Sequence, residues 1–255
     1  MRILLTNDDG AYAPGLAALY QALSARHQVT VVAPESEQSA VGHAITLADP
    51  IRVRRLGPRS GLSGWAVRGT PADCVKLGLS QLLPQPPELV VSGINLGANV
   101  GVNILYSGTV SAATEAAILG LPGLAASLNS HQPDADFSFA ARFTARLVDR
   151  LPLPGQPPLV PLNLNFPALP PERIRGVRFC RQSRARLVEE FIPRQDPRGN
   201  TYYWLGGETL DSQGGPDTDF AALAQGYVTL TPIRHDLTHE AALSAMRSHP
   251  LDLEQ

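Results

Sequence analysis

The first apolar run, Leu4-Leu5-Thr6, ends in two adjacent carboxylates, Asp8 and Asp9, followed at once by Gly10. Neighbouring anions at the exit of a buried strand repel one another unless water or a cation compensates them. That pattern fits a hard-metal site, although Asn, Asp and Gly also describe a solvated turn with an N-capping Asp. Two later strand-to-loop junctions bring further oxygen donors. Ser39 lies in a polar loop after the second apolar run, and Asn95 in the Gly/Asn stretch from Gly93 to Gly101. Two carboxylates, a hydroxyl and an amide oxygen suit Mg²⁺, Mn²⁺ or Ca²⁺ rather than a soft metal. Ser107-Gly108-Thr109, at the start of an Ala-rich helix, offers backbone N–H groups, two hydroxyls and a positive dipole end, which suit a phosphate. Ordinary capping by Ser107 or Thr109 is the other reading of those residues. A cation beside an anion-binding helix end points to phosphate chemistry.

Such a site needs a scaffold that brings three strand ends together. Arg2 to Thr6 reads as a short strand buried on both faces, the type found in parallel sheets. Pro14 to Ala25 carries Leu16, Leu19, Tyr20 and Leu23 at helical spacing, and Val29 to Ala33 is a second strand. The right-handed crossover rule then puts both strand ends on one edge of the sheet. Ile45 to Leu47, Ile51 to Leu56 and Trp65 to Arg68 alternate between turn signals, which predicts a hairpin or small antiparallel appendage. Thr70-Pro71-Ala72-Asp73 opens a helix running to Leu83. A buried strand, Glu88 to Ser92, precedes the Gly/Asn loop, and a helix over Ser111 to Leu119 follows it. Further on come a strand at Leu124 to Leu128, a helix at Phe137 to Leu151, a break at Pro152 to Pro158, and strands at Leu159 to Phe166 and Arg175 to Cys180. Arg181 to Gly215 is polar and Pro/Gly-rich, with an aromatic patch, Tyr202-Tyr203-Trp204, read either as an arm packing on another subunit or as a hairpin core. A short helix (Asp217 to Gln225), a strand (Tyr227 to Pro232) and a closing helix (Leu237 to Arg247) end the chain. In an open parallel sheet, ligands sit in the crevice beyond the carboxyl ends of the strands, where Asp8, Asp9, Ser39 and Asn95 would meet.

Composition narrows the function classes. With 255 residues, 44% hydrophobic and 17% charged, the chain suits one large α/β domain that folds by core burial. A net charge of -2 provides no field for a nucleic-acid polymer, and Arg52, Arg54, Arg55 and Arg59 read as a solvated strand face. Cys74 and Cys180 read as buried free thiols of a reducing compartment. With no charged-then-apolar leader and no run near the ~18 residues of a membrane span, a cytoplasmic protein without membrane attachment is expected. His235 and His239 lack a second ligand cluster for zinc. His43 stands near the site either as a proton donor or as a hydrogen-bonded loop residue. There is no Walker loop, no dinucleotide fingerprint and no Gly-x-Ser-x-Gly elbow, and Asn7-Asp8-Asp9 does not supply the Asp-x-Asp of aspartyl-phosphate phosphatases.

Several blocks in order along the chain resemble the survival protein SurE family. They are Thr6-Asn7-Asp8-Asp9-Gly10 with Pro14-Gly15, Ala33-Pro34 to Ser39, Ser92-Gly93-Ile94-Asn95-x-Gly97-x-Asn99-x-Gly101, Tyr106-Ser107-Gly108-Thr109-Val110, Asn163-x-Asn165-Phe166-Pro167, and Thr218-Asp219 through Gly226-Tyr227. The resemblance implies a divalent-metal-dependent phosphatase acting on nucleoside 5'- and 3'-monophosphates, in some members also on short polyphosphate. It implies one divalent ion per subunit on Asp8, Asp9, Ser39 and Asn95, with Ser107, Gly108 and Thr109 on the phosphate side. Homodimers or homotetramers, in which C-terminal segments embrace a neighbour, are implied as well. Asn103 and Ala116 depart from the family's pattern, where Asp and Gly are common. The combined expectation is an α/β fold with a Rossmann-like, mostly parallel sheet, helices on both faces, a β-hairpin appendage and an extended C-terminal arm. Residues 1–180 would form the catalytic part and 181–255 the oligomerisation arm, short helix, strand and closing helix of one domain. Asp8, Asp9 and Asn95 would be catalytic, with one acid, Asp8 by preference, taking the proton of the attacking water. Asn95, Ser107 and Thr109 would hold the phosphate oxygens. A non-catalytic nucleotide or phosphate sensor, or an oligomerising scaffold whose acids are turn residues, are the rival readings.

Overall fold

The computed structural model describes residues 1–151, 160–210 and 215–248. The proline-rich break expected at 152–158 lies outside the described residues, as do 211–214 and 249–255 of the expected arm and the side chains of Arg59 and of residues 186–189 and 208–210.

The apolar runs become strands because both their faces are covered. In β1 (Arg2–Thr6), Ile3 and Leu5 join one core and Leu4 the other. Parallel to β1 run β2 (Gln28–Pro34), β4 (Gly64–Arg68), β5 (Leu89–Leu96), β6 (Gly123–Asn129) and β7 (Leu162–Pro167). With β3 (Arg52–Arg55), β8 (Val177–Phe179) and β11 (Val228–Pro232) they make a nine-stranded sheet among the described residues, ordered β3-β4-β2-β1-β5-β6-β7-β11-β8. Helices α1 (Pro14–Ser24) and α4 (Ser138–Val148) pack on one face through Leu16, Leu19, Leu23, Phe139 and Phe143. On the other face, α2 (Pro71–Leu77) and α3 (Gly108–Ile118) contribute Cys74, Val75, Ala112 and Ala116. Ala116, one of the two departures from the family pattern, is thus a core residue of that second layer.

The chain moves from β1 to β2 in one direction and from β1's other flank onward through β5, β6 and β7 in the other. The switch point therefore lies between β1 and β5, and the exits of those two strands carry Asp8, Asp9 and Asn95.

Four elements differ from expectation in ways that matter. Strand β5 continues past Ser92 to Leu96, because a bulge absorbs one extra residue: Ser92 pairs with Ala125, and Asn95 with Ser127. Gly93 makes that possible, with φ at +128° and a position where a Cβ would stand 2.2 Å from the carbonyl oxygen of Ala126. Helix α3 starts at Gly108, three residues before the expected Ser111, since the Ser107 side chain accepts a hydrogen bond from the Val110 N–H at 3.1 Å and caps it there. The expected hairpin forms as β3–β4, but it is fused to the sheet, β4 pairing in parallel with β2; residues 45–47 form no strand. Arg54 on this edge meets Glu35 at 2.8 Å and Arg55 lies over the Trp65 ring, so the basic cluster is a solvated edge.

Beyond β8, strands β9 (Arg186–Gln195) and β10 (Thr201–Leu210) pair as a separate two-stranded hairpin. Its aromatic residues do not form a core: Phe191, Tyr202, Tyr203 and Trp204 are exposed. The chain then returns to the main sheet through α5 (Asp219–Ala224) and β11, which inserts between β7 and β8, and closes with α6 (Glu240–Ser248).

Helix α1 approaches β5 so closely that a Cβ on Gly15 would lie 2.0 Å from the carbonyl oxygen of Ile94. Gly15→Ala should therefore destabilise the protein by about 1–3 kcal/mol in urea unfolding. Gly57→Ala, where nothing lies within 4 Å, should stay within about 0.5 kcal/mol of the parent.

Candidate functional site

The β1 exit is shaped by Asn7, whose buried side chain donates from Nδ2 to the Gly10 carbonyl at 2.9 Å and closes the turn on itself. Gly10 completes it with φ at +103°. The loop after β2 is laced to this turn: the Ala11 N–H donates to the Pro34 carbonyl and the Gln38 N–H to the Asp8 carbonyl, both at 2.7 Å.

Asp8 points into the N-terminus of α3. The Thr109 backbone N–H donates to its Oδ2 at 2.9 Å, and the Thr109 hydroxyl donates to its Oδ1. Gly108 permits the contact, since a Cβ there would stand 2.8 Å from Cβ of Asp8 and 3.0 Å from Cγ of Pro71. Asp9 turns toward β5 and accepts the Leu96 N–H at 3.2 Å. Asn95, half-buried, donates from Nδ2 to the Gly97 carbonyl at 2.7 Å, which leaves its amide oxygen as an acceptor. Asp8, Asp9, Asn95 and the Ser107-Gly108-Thr109 helix start are thus brought to one edge of the sheet. Ser39 is on the same edge but exposed, its hydroxyl donating to Glu37 Oε1 at 2.5 Å.

Electrostatics at the pair favour a cation. Burial drives the Asp8 carboxyl above its ordinary range, even though the hydroxyl and amide of Thr109 oppose the shift. Asp9 is pushed up to about 6, by burial first and then by the charge on Asp8. Among the described residues neither acid takes part in an ion pair. Two half-starved carboxylates with a neutral amide and a hydroxyl nearby form an all-oxygen donor set, which fits a hard divalent ion. Among the described residues no cluster of three or more His, Cys, Asp or Glu offers a softer alternative. His239 instead accepts the Ala242 N–H on Nδ1, as a helix cap, and His235 is exposed.

His43 follows the hydrogen-bonded reading, with Nε2 2.7 Å from Glu115 Oε2. Thr109 is engaged with Asp8, where sequence reasoning placed it on the phosphate; the hydroxyl proton of Ser107 stays available, because its oxygen accepts the Val110 N–H. A buried amide network also escaped the sequence reading. Asn163 and Asn165 donate to the Asn99 carbonyl at 2.8 and 3.1 Å, Asn165 accepts the Asn99 N–H at 2.8 Å, and Asn99 donates to the Ser127 hydroxyl at 2.9 Å. Next to it, Asp219 accepts the Gly101 and Ser183 N–H groups at 3.0 and 2.8 Å. Together these contacts pin the 97–101 segment that leads from Asn95 to α3. The visible signal was Asn at alternate positions of an otherwise apolar strand, a buried pattern that requires partners.

Comparison with known proteins places these features in context. The family model for survival protein SurE matches residues 3–189. A protein named 5'-nucleotidase SurE from Syntrophobacter fumaroxidans is 56% identical over 94% of this chain and 95% of its own length. Its namesake from Syntrophus aciditrophicus is 53% identical over 97% of this chain and 93% of its own. The crystal structure of SurE protein from Aquifex aeolicus superimposes with a TM-score of 0.83 at 37% identity, covering 97% of this chain and 99% of that one.

The raised Asp9 carboxyl has a signed consequence. Between the ordinary value of 3.8 and about 6, the folded state without metal holds a proton that the unfolded state has lost, so stability falls as pH rises through that window. In calorimetric melts in the presence of chelator, Asp9→Asn should match the parent near pH 4 and exceed it in Tm above about pH 7. Equal melting temperatures at both ends would contradict the assignment.

Proposed function

The chain belongs to the SurE family, and we propose that it is a divalent-metal-dependent phosphatase that hydrolyses nucleoside 5'- and 3'-monophosphates to nucleoside and phosphate, with short polyphosphate as a further substrate. One observation carries the reading: two adjacent carboxylates, both pushed above their ordinary range, stand at the sheet's switch point against the N-terminus of α3. The names of the relatives support nucleotides as the substrate class.

In this reading one Mg²⁺, Mn²⁺ or Ca²⁺ ion per subunit is held by Asp8, Asp9, Asn95 and Ser39. When bound, the cation supplies charge neutralisation and Lewis acidity toward phosphate and water. The chain's own residues do the rest. Thr109 fixes both oxygens of Asp8 and so sets the direction in which that carboxylate faces the crevice. The Ser107 hydroxyl and the Gly108 N–H, at the positive end of α3, hold phosphate oxygens, and Asn95 contributes from the opposite side. Thr109 acts on the phosphate through Asp8. Asp8 takes a proton from the water that attacks in line with the departing ester oxygen.

The same reading makes the protein a homodimer or homotetramer joined through its C-terminal arm. The exposed Phe191, Tyr203 and Trp204 on the β9–β10 hairpin support it, as does α6, which buries none of its residues within the subunit. No helix among the described residues is long and apolar enough to cross a membrane. The buried thiols of Cys74 and Cys180 support a reducing, cytoplasmic setting, and the charge of -2 leaves nucleic-acid polymers aside as partners.

Incubation of the purified protein with AMP, with and without Mn²⁺, followed by assay of both bound nucleotide and free phosphate, tests the proposal. Phosphate release should require the metal, and Asp8→Asn should lower kcat/KM by about 100-fold or more. Tight AMP binding without phosphate release would establish the sensor reading instead.

A further inference from the structure

Glu115 is a buried acid that the proposed mechanism does not use. It lies on α3 six residues after Thr109, about 9 Å along the helix axis, and is 3% exposed. Its Oε1 accepts from Lys76 Nζ of α2 at 2.6 Å, and its Oε2 is 2.7 Å from Nε2 of His43. Burial raises its carboxyl, but the hydrogen bonds from His43 and Lys76 outweigh that, and Glu115 sits below the ordinary carboxylate range. It is an anion held between two partners.

Those partners have different settings. Lys76 belongs to a neighbouring helix, so its contact fastens α2 to α3. His43 belongs to the segment between β2 and β3, which has neither helix nor strand over residues 35–51 and carries Ser39. Polar ties replace regular structure along this segment. The Gly42 N–H donates to the Tyr106 carbonyl at 2.9 Å. Thr46 donates to Asp73 from its N–H and hydroxyl at 3.0 and 2.6 Å, and the Thr70 hydroxyl donates to the Ala44 carbonyl at 2.8 Å. The His43–Glu115 contact joins the segment to α3 itself, the helix whose first turn holds Asp8.

We propose that Glu115 is a positioning residue, whose clasp on His43 docks the Ser39 loop onto α3 so that one helix sets the place of both Asp8 and Ser39. The inference rests on the metal-site reading above. It gives the buried carboxylate a use that offsets its desolvation: one oxygen accepts from a lysine of α2 and the other faces a histidine of the loop. It also gives the loop a rigid reference about 9 Å along α3 from Thr109. Outer partners of this kind, when removed, cost about 10–100-fold in metal affinity.

The test compares His43→Ala, His43→Gln and Lys76→Met with the parent by two readouts. The first is amide hydrogen exchange at Gln38, Gly42 and Thr46 in chelator; the second is the Mn²⁺ concentration that half-saturates phosphate release from AMP. His43→Ala should speed exchange at these amides and raise the half-saturating Mn²⁺ about tenfold or more, with turnover at saturating Mn²⁺ within about threefold of the parent. His43→Gln, which keeps a donor toward Glu115, should recover most of both effects. Lys76→Met should lower Tm while leaving both readouts where they were. Unchanged exchange and an unchanged Mn²⁺ requirement in His43→Ala would overturn the proposal. So would Lys76→Met shifting both readouts as far as His43→Ala does, since that would be general loosening. If the parent itself released no phosphate, the nucleotidase reading would fail, whereas the exchange comparison would still decide the clasp.

Discussion

The contact between Asp8 and the first turn of α3 constrains more of this molecule than any other. A buried carboxylate needs donors, and the amide and hydroxyl of Thr109 provide them at the positive end of a helix. For that helix end to come so near β1, residue 108 must lack a side chain and the helix must begin there, capped by Ser107. For its first turn to reach the edge where β1 ends, the chain leaving β5 must cross over in a defined path. The 97–101 segment supplies that path, and a fully buried set of amides and Asp219 holds it.

The acids are consequently placed by backbone and dipole, and among the described residues no basic side chain pairs with them. Salt bridges to Lys or Arg would stabilise the pair but would also occupy it. What remains is a pair whose charge is poorly compensated, at the reversal point of strand order, next to donors suited to phosphate. The same economy appears in the loop after β2. It is organised through Asp8's own carbonyl at Gln38, the 106 carbonyl at Gly42, and the carboxylates Asp73 and Glu115. Charged groups therefore hold the outer frame around the two acids.

Much of this was legible in the residues. All-apolar strands, Pro at first helical positions and the β1–α1–β2 order were enough to place Asp8, Asp9, Ser39 and Asn95 on one edge of the sheet. The misreadings have physical causes. Pattern reading ended β5 at Ser92, because Gly93-Ile94-Asn95 looks like loop; a bulge built on Gly93 lets the strand continue. The contact of Thr109 with Asp8 went unread, because a helix-start hydroxyl looks the same whether it serves a ligand or a neighbouring carboxylate. Asn99, Asn163, Asn165 and Asp219 stood in the quoted blocks without a role, since their partners lie up to 118 residues away in the chain. Glu115 looked like one polar residue in an Ala-rich helix, and its meaning depends on a loop histidine 72 positions earlier.

The central claim is that Asp8 and Asp9 are half of a cation site, and crystals grown with Mn²⁺ and measured for its anomalous scattering test it most directly. A single strong peak within coordination distance of Asp8, Asp9 and Asn95, absent from Asp8→Asn crystals, is the expected result. Mn²⁺ bound elsewhere, or the pair bridged by water alone at saturating metal, would contradict the account.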